Sequence, residues 1–96
     1  MVNDEKKVRA HLLISGRVQG VAFRYYTQDI AKDLKLRGCV RNCWDGKVEV
    51  VIEGEKEKVK ELIDWCYRGP RSAIVEKVEL NWGKYIGEFN SFSIRG

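Results

Sequence analysis

The sequence predicts a single α+β domain of β-α-β-β-α-β order, with two helices on one face of an antiparallel sheet. Three observations predict it. Apolar residues alternate over 8–14 and again over 47–53, the period of a strand with one buried face. They recur every three or four residues over 23–36 and 55–67, the period of an amphipathic helix. Glycine or the sole proline breaks the pattern between these stretches, and no repeat or low-complexity tract interrupts it.

In the first strand Val8, Ala10, Leu12 and Ile14 share a face, with Arg9 and His11 opposite. No carboxylate partner for His11 can be read from the sequence, so it reads as a surface or packing residue. Phe23, Tyr26, Thr27, Ile30, Ala31 and Leu34 form the apolar stripe of the first helix, which Gly38 stops. A short strand over 39–44 follows. Asp45-Gly46 then signals a type I′ hairpin turn, whose two central residues both take positive φ. Val48, Val50 and Ile52 lie inward on the next strand, which Gly54 ends. Val59, Leu62, Ile63 and Cys66 line the second helix, with Glu55 and Glu57 at its electropositive start. Pro70 sits in a break, and the strand over 74–82 turns Val78, Leu80 and Trp82 inward. Phe92 and Ile94 suggest a fifth, short strand. This is the split βαβ, ferredoxin-like arrangement. Its first and third strands lie side by side, so the loop after the first strand nears the end of the second.

Size and composition narrow the function classes. Ninety-six residues make one domain, 1–96, with residues 1–7 read as a flexible extension. No apolar run approaches the roughly 18 residues of a membrane span. The charged start has no signal-peptide form, so the expected location is the cytoplasm. Eighteen Lys and Arg against 14 Asp and Glu give a scattered excess of four positive charges, which suits an anion without requiring nucleic acid. The two central strands carry no aromatic residue on which bases could stack, which counts against an RNA-binding sheet. Cys39, Cys43 and Cys66 form neither a disulfide framework nor a zinc motif. A disulfide between Cys66 and one of the others stays open. No carboxylate cluster suggests magnesium, and no cofactor or metal is expected.

The chemistry gathers between the first strand and the first helix. Two glycines flank Arg17, Val18 and Gln19, and Val21 and Ala22 lead into the helix start. Such a loop can turn successive N–H groups of Arg17, Val18, Gln19, Gly20, Val21 and Ala22 onto one anion. The helix N-terminus adds unpaired N–H groups, and Arg24 in its first turn can fork onto two phosphate oxygens. A plain turn bearing a solvent-exposed arginine is the other reading. Asn42, at a strand end, offers both a donor and an acceptor. It can orient a water, or it can simply cap the hairpin. No cysteine lies in the loop that ends at Arg24, so the thiolate chemistry of a cysteine phosphatase has no nucleophile in place.

Gly16-Arg17-Val18-Gln19-Gly20-Val21-Ala22-Phe23-Arg24 resembles the signature of the acylphosphatase family. The segment from Gly38-Cys39-Val40-Arg41-Asn42 through Asp45-Gly46-Lys47-Val48-Glu49 is similar to its second motif, and shorter matches follow at Gly69-Pro70-Arg71-Ser72-Ala73 and Phe92-Ser93-Ile94-Arg95. The likeness spans about residues 8–95. Cys39 stands where the family often has an aromatic residue, and Cys43 is also atypical. The resemblance implies a metal-independent enzyme that hydrolyses small acyl phosphates. Arg24 would bind the phosphate, Asn42 would position the attacking water, and the backbone of residues 17–22 would form the cradle. A non-catalytic anion-binding module on the same scaffold is the competing expectation. The domain is expected to be a monomer.

Overall fold

The computed structural model describes residues 6–95. Its elements run β1 (Lys7–Arg17), α1 (Phe23–Asp33), β2 (Arg37–Asn42), β3 (Val48–Glu55), α2 (Lys56–Cys66), β4 (Ile74–Gly83) and β5 (Phe92–Arg95). The sheet order is β4-β1-β3-β2-β5. The first four strands pair antiparallel, which is the ferredoxin-like core, and β5 adds parallel to β2. The mixed sheet follows from the return of the chain across the sheet between β4 and β5.

The alternation in β1 and β3 works as strand periodicity requires. Ala10, Leu12 and Ile14 pair with Ile52, Val50 and Val48, and all six are fully buried. Helix α2 covers them with Val59, Leu62, Ile63 and Cys66, while α1 contributes Phe23 and Ala31. Burying a side chain of this size removes it from water at a gain of about 1.5–3 kcal/mol, so the inward row of the two central strands supplies a large part of the folding free energy.

Several expectations are corrected. Residues 1–5 of the extension expected over 1–7 lie outside the described residues, and Lys7 already pairs with Glu55 in β1. Helix α1 ends at Asp33, not Leu36. Lys35 takes φ 59°, and the Leu36 N–H bonds back to the Ala31 carbonyl, closing the helix several residues before Gly38. The hairpin turn is not type I′. Only Gly46 has positive φ there, at 94°, while Cys43 N–H donates to Lys47 O and Gly46 N–H to Cys43 O. That is the three-residue connection with a glycine bulge. It puts Trp44 in the turn rather than in β2. Trp82 pairs with Ala10 on the helix-facing side but lies beyond the cover of the helices and stays 46% exposed. All three cysteines are free thiols.

The far face of the sheet holds two polar constructions. Glu53, buried on β3, accepts the N–H groups of Ile86, Gly87 and Glu88 and a guanidinium N–H of Arg9. This carboxylate ties the segment between β4 and β5 to the sheet. His11 has the carboxylate partner that the sequence does not reveal. Its Nε2 lies 2.7 Å from Glu49 Oε2, and Arg41 bonds the other Glu49 oxygen.

Candidate active site

Asn42 pairs with Val48, and Val48 pairs with Ile14. Adjacent strands lie about 4.8 Å apart, so the end of β2 stands roughly two strand spacings from β1, just where β1 gives way to the loop. A β-bulge sets the exit. The β1–β4 register shifts between Ser15 and Gly16, and Gly16 has φ 124°. A Cβ there would lie 2.2 Å from the Ile74 carbonyl oxygen, so only glycine lets the two strands approach at this point.

Past Arg17 the chain leaves the sheet. The Val18 side chain, 1% exposed, plugs into the core and anchors the loop. Gly20 turns with φ 75°, and Ala22 enters helix α1 with φ 62°. Left-handed alanine is strained by about 1–2 kcal/mol, and the loop holds it there against that cost. No side chain caps α1, and its first turn holds no acidic residue. The N–H groups of the first turn therefore keep their hydrogen-bonding capacity, at the positive end of the helix dipole. Arg24 sits in that turn, where a cation is electrostatically disfavoured unless an anion joins it.

Phe23 fixes the start of α1 from below. It is 2% exposed and packs its ring 5.2 Å from that of Trp65 on α2. The Thr27 hydroxyl donates to the Phe23 carbonyl at 2.7 Å. On the other side, Gln19 Nε2 donates to the carbonyls of Cys43 and Lys47, at 2.8 and 2.9 Å. One side chain thus ties the loop to both ends of the β2–β3 turn.

The result is an open pocket of ≈ 240 Å³ lined by Val18, Gly20, Ala22, Phe23, Arg24, Tyr25 and Asn42. Arg24 and Asn42, 18 residues apart in sequence, meet here. Of the six loop residues expected as a cradle, Val18, Gly20 and Ala22 line the pocket. Arg17 ends β1 exposed, Gln19 is turned to the hairpin, and Val21 leans on the core. Three contributors were not singled out from sequence: Phe23 and Tyr25 as pocket walls, and the Gln19 side chain as a strut. An apolar Val18 and Phe23 on either side of a glycine-containing loop were the only local signals of anchoring. Gln19 gave none, because both its partners are set by the hairpin.

The thiols nearest Asn42 are poor nucleophiles. Burial pushes the Cys43 and Cys39 thiols above their ordinary range, with Glu49 adding to it, so both stay protonated at neutral pH. Among the described residues, no three His, Cys, Asp or Glu side chains are grouped to hold a metal ion. No helix among them is long and apolar enough to cross a membrane.

Comparison with known proteins identifies the family. The family profile for Acylphosphatase matches residues 10–94. An acylphosphatase of Chloroflexus aurantiacus is 53% identical over 87 residues, covering 91% of this chain and 95% of the relative. A solved acylphosphatase from Coxiella burnetii superposes with TM-score 0.89 at 33% identity, covering 96% of each chain. One from Bacillus subtilis gives TM-score 0.89 at 30% identity, covering 93% of this chain and 99% of that one. The chain belongs to the acylphosphatase family, a family of hydrolases acting on acid anhydrides.

Proposed function

We propose that the protein hydrolyses small acyl phosphates in the pocket between the β1–α1 loop and the end of β2, with Arg24 and Asn42 as its catalytic residues. The observation that supports this reading is the convergence of Arg24, Asn42 and the uncapped start of α1 on one pocket. The phosphoryl group rests on backbone N–H groups of the loop where Val18, Gly20 and Ala22 line the pocket, and of the first turn of α1. The Arg24 guanidinium forks onto two of its oxygens. Asn42 holds the attacking water through its amide. The water oxygen bonds to phosphorus as the bond from phosphorus to the carboxylate oxygen breaks. The carboxylate leaves as an anion, and the proton of the water ends on inorganic phosphate.

Few groups suffice because carboxylate is a good leaving group. The transition state is loose, with charge spread over the equatorial oxygens, so the protein's task is to orient water and to stabilise that charge. N–H groups and a guanidinium provide the charge complement without a metal ion. The same reading takes the enzyme as a cytoplasmic monomer without a cofactor.

The test is release of benzoate from benzoyl phosphate in the presence of EDTA. Wild type turns over, and Arg24→Ala and Asn42→Ala each lose about 100-fold or more in kcat/KM, in line with removing one transition-state donor. Both variants keep the circular dichroism of the wild type, since neither side chain is in the core. A folded but inactive wild type would assign the loop to anion binding without catalysis.

A further inference from the structure

We infer that the protein carries a second anion site at the opposite end of the sheet from Arg24 and Asn42, where Lys7, Lys35 and Arg37 bind a short chain of phosphate groups. The inference stands apart from the acyl phosphate reading.

The site is a pocket of ≈ 180 Å³ between the start of β1, the α1–β2 turn and the β3–α2 junction. Lys7, Lys35 and Arg37 line it together with Glu53, Gly54, Glu55 and Tyr85. Arg37 opens β2 and Asn42 ends it, so about 17 Å of strand separates this pocket from the other.

Strand pairing and one glycine gather the cations. Lys7 pairs with Glu55 and Arg37 with Glu53, so β3 runs between the two basic residues, which stand two strand spacings, about 10 Å, apart across the sheet. A Cβ at Gly54 would lie 2.5 Å from Cδ2 of the buried Leu36. The glycine thus lets the turn that carries Lys35 and Arg37 settle onto the end of β3. Lys35 is held in the left-handed region, at φ 59°, just past a helix where glycine is the usual residue. It is exposed, so no packing offsets the strain. Lys32 already supplies a cation to the last turn of α1, so the helix dipole does not call for this one.

The charges are available to a ligand. Among the described residues Lys35 and Arg37 hold no hydrogen bond or ion pair, whereas Arg9 and Arg41 each meet a carboxylate. The Lys7 ammonium lies 5.4 Å over the Tyr85 ring, which sets it at the pocket wall. Glu53 does not cancel these cations. Five hydrogen bonds, from Arg9 and the N–H groups of Ile86, Gly87 and Glu88, occupy both its oxygens. Glu55 is the lining carboxylate left to oppose an anion, against three cations. Like charges around one small hollow repel each other until an anion joins them. Ammonium and guanidinium groups are both phosphate ligands, and the guanidinium forks onto two oxygens. Cations on three segments span more than one phosphate group covers, so the fitting ligand is an oligophosphate, free or esterified.

The test is a two-dimensional amide NMR titration with sodium tripolyphosphate at a constant ionic strength of about 0.15 M, with sodium chloride as the blank. Wild type, Lys35→Gln, Arg37→Gln and Lys35→Gly are compared. In wild type the amides of Lys35, Arg37, Gly54 and Glu55 shift and saturate, apart from any shift around Arg24. Each glutamine variant weakens this binding about tenfold, as loss of one charge-assisted contact does, and leaves kcat/KM for benzoyl phosphate as in wild type. Lys35→Gly weakens it likewise with a Tm no lower than that of wild type, because glycine relieves the left-handed strain. Shifts confined to the surroundings of Arg24, shifts that do not saturate, or unchanged binding in both glutamine variants overturn the site. ATP is titrated alongside. Tighter binding of ATP than of tripolyphosphate assigns the site to an esterified chain, and equal or weaker binding assigns it to the phosphate chain alone. Binding of neither refutes the proposal.

Discussion

Replacing Gln19 with alanine removes a side chain that ties the β1–α1 loop to the β2–β3 turn. Two bonds are lost, of 2.8 and 2.9 Å, both partly buried. A neutral hydrogen bond of this kind contributes about 0.5–1.5 kcal/mol net. The acceptors are not orphaned, because Cys43 O still accepts from Gly46 N–H and Lys47 O from Cys43 N–H. No further desolvation cost follows, and the loss comes to about 2 kcal/mol. In a domain of this size that is roughly 8–16 °C in Tm. The functional effect is larger in proportion. The strut sets the distance between the loop proposed to carry the phosphoryl group and the strand end that carries Asn42, and a misplacement of about 1 Å can cost 100-fold in rate. Thermal unfolding and benzoyl phosphate kinetics on Gln19→Ala should therefore show a lowered Tm and a kcat reduced at least tenfold. Gln19→Glu should be worse on both counts, since it sets a carboxylate against two carbonyl oxygens. A Tm within about 2 °C of wild type with unaltered kcat would refute the strut.

Two further outcomes follow from the fold. Gly16→Ala should lower stability by about 3 kcal/mol or more in urea unfolding and depress activity. It combines a strained positive φ with a Cβ 2.2 Å from the Ile74 carbonyl oxygen, at the point where β1 feeds the loop. Glu53 should make stability sensitive to acid. Burial pushes its carboxyl up, but the N–H groups of Ile86, Gly87 and Glu88 and the Arg9 guanidinium outweigh burial, and the net direction is down. A carboxyl lowered on folding contributes stability above its unfolded pKa, and that contribution is lost as pH falls through the folded value. Urea midpoints measured from pH 7 downward should fall below the ordinary carboxylate range for wild type. In Glu53→Gln the unfolding free energy should start about 2–3 kcal/mol lower and fall less steeply with pH, because the charge that the N–H groups favour is gone. Parallel curves would remove Glu53 from the account.

The sequence by itself determined the order of elements, the inward rows of β1 and β3, and the loop that bears Arg24. These rest on periodicity and on turn chemistry, which act between residues a few positions apart. Val48, Val50 and Ile52 face the core because alternate side chains on a strand must. The resemblance of two motifs to one family added Arg24 and Asn42 as a pair, where the residues alone left each with a bland reading. Tertiary structure decided the rest. The sole His11 acquires Glu49 only because β1 and β3 pair in one register, and Glu53 becomes a fastening point only because residues 86–88 return over it. The turn at Asp45-Gly46 takes a glycine bulge instead of type I′ geometry, and Trp44 stands in that turn in water. Gln19 illustrates the limit most directly. Nothing around it in sequence distinguishes a loop glutamine in solvent from one that bridges two carbonyls more than 20 residues away, because the partners are brought to it by strand pairing and not by any local preference.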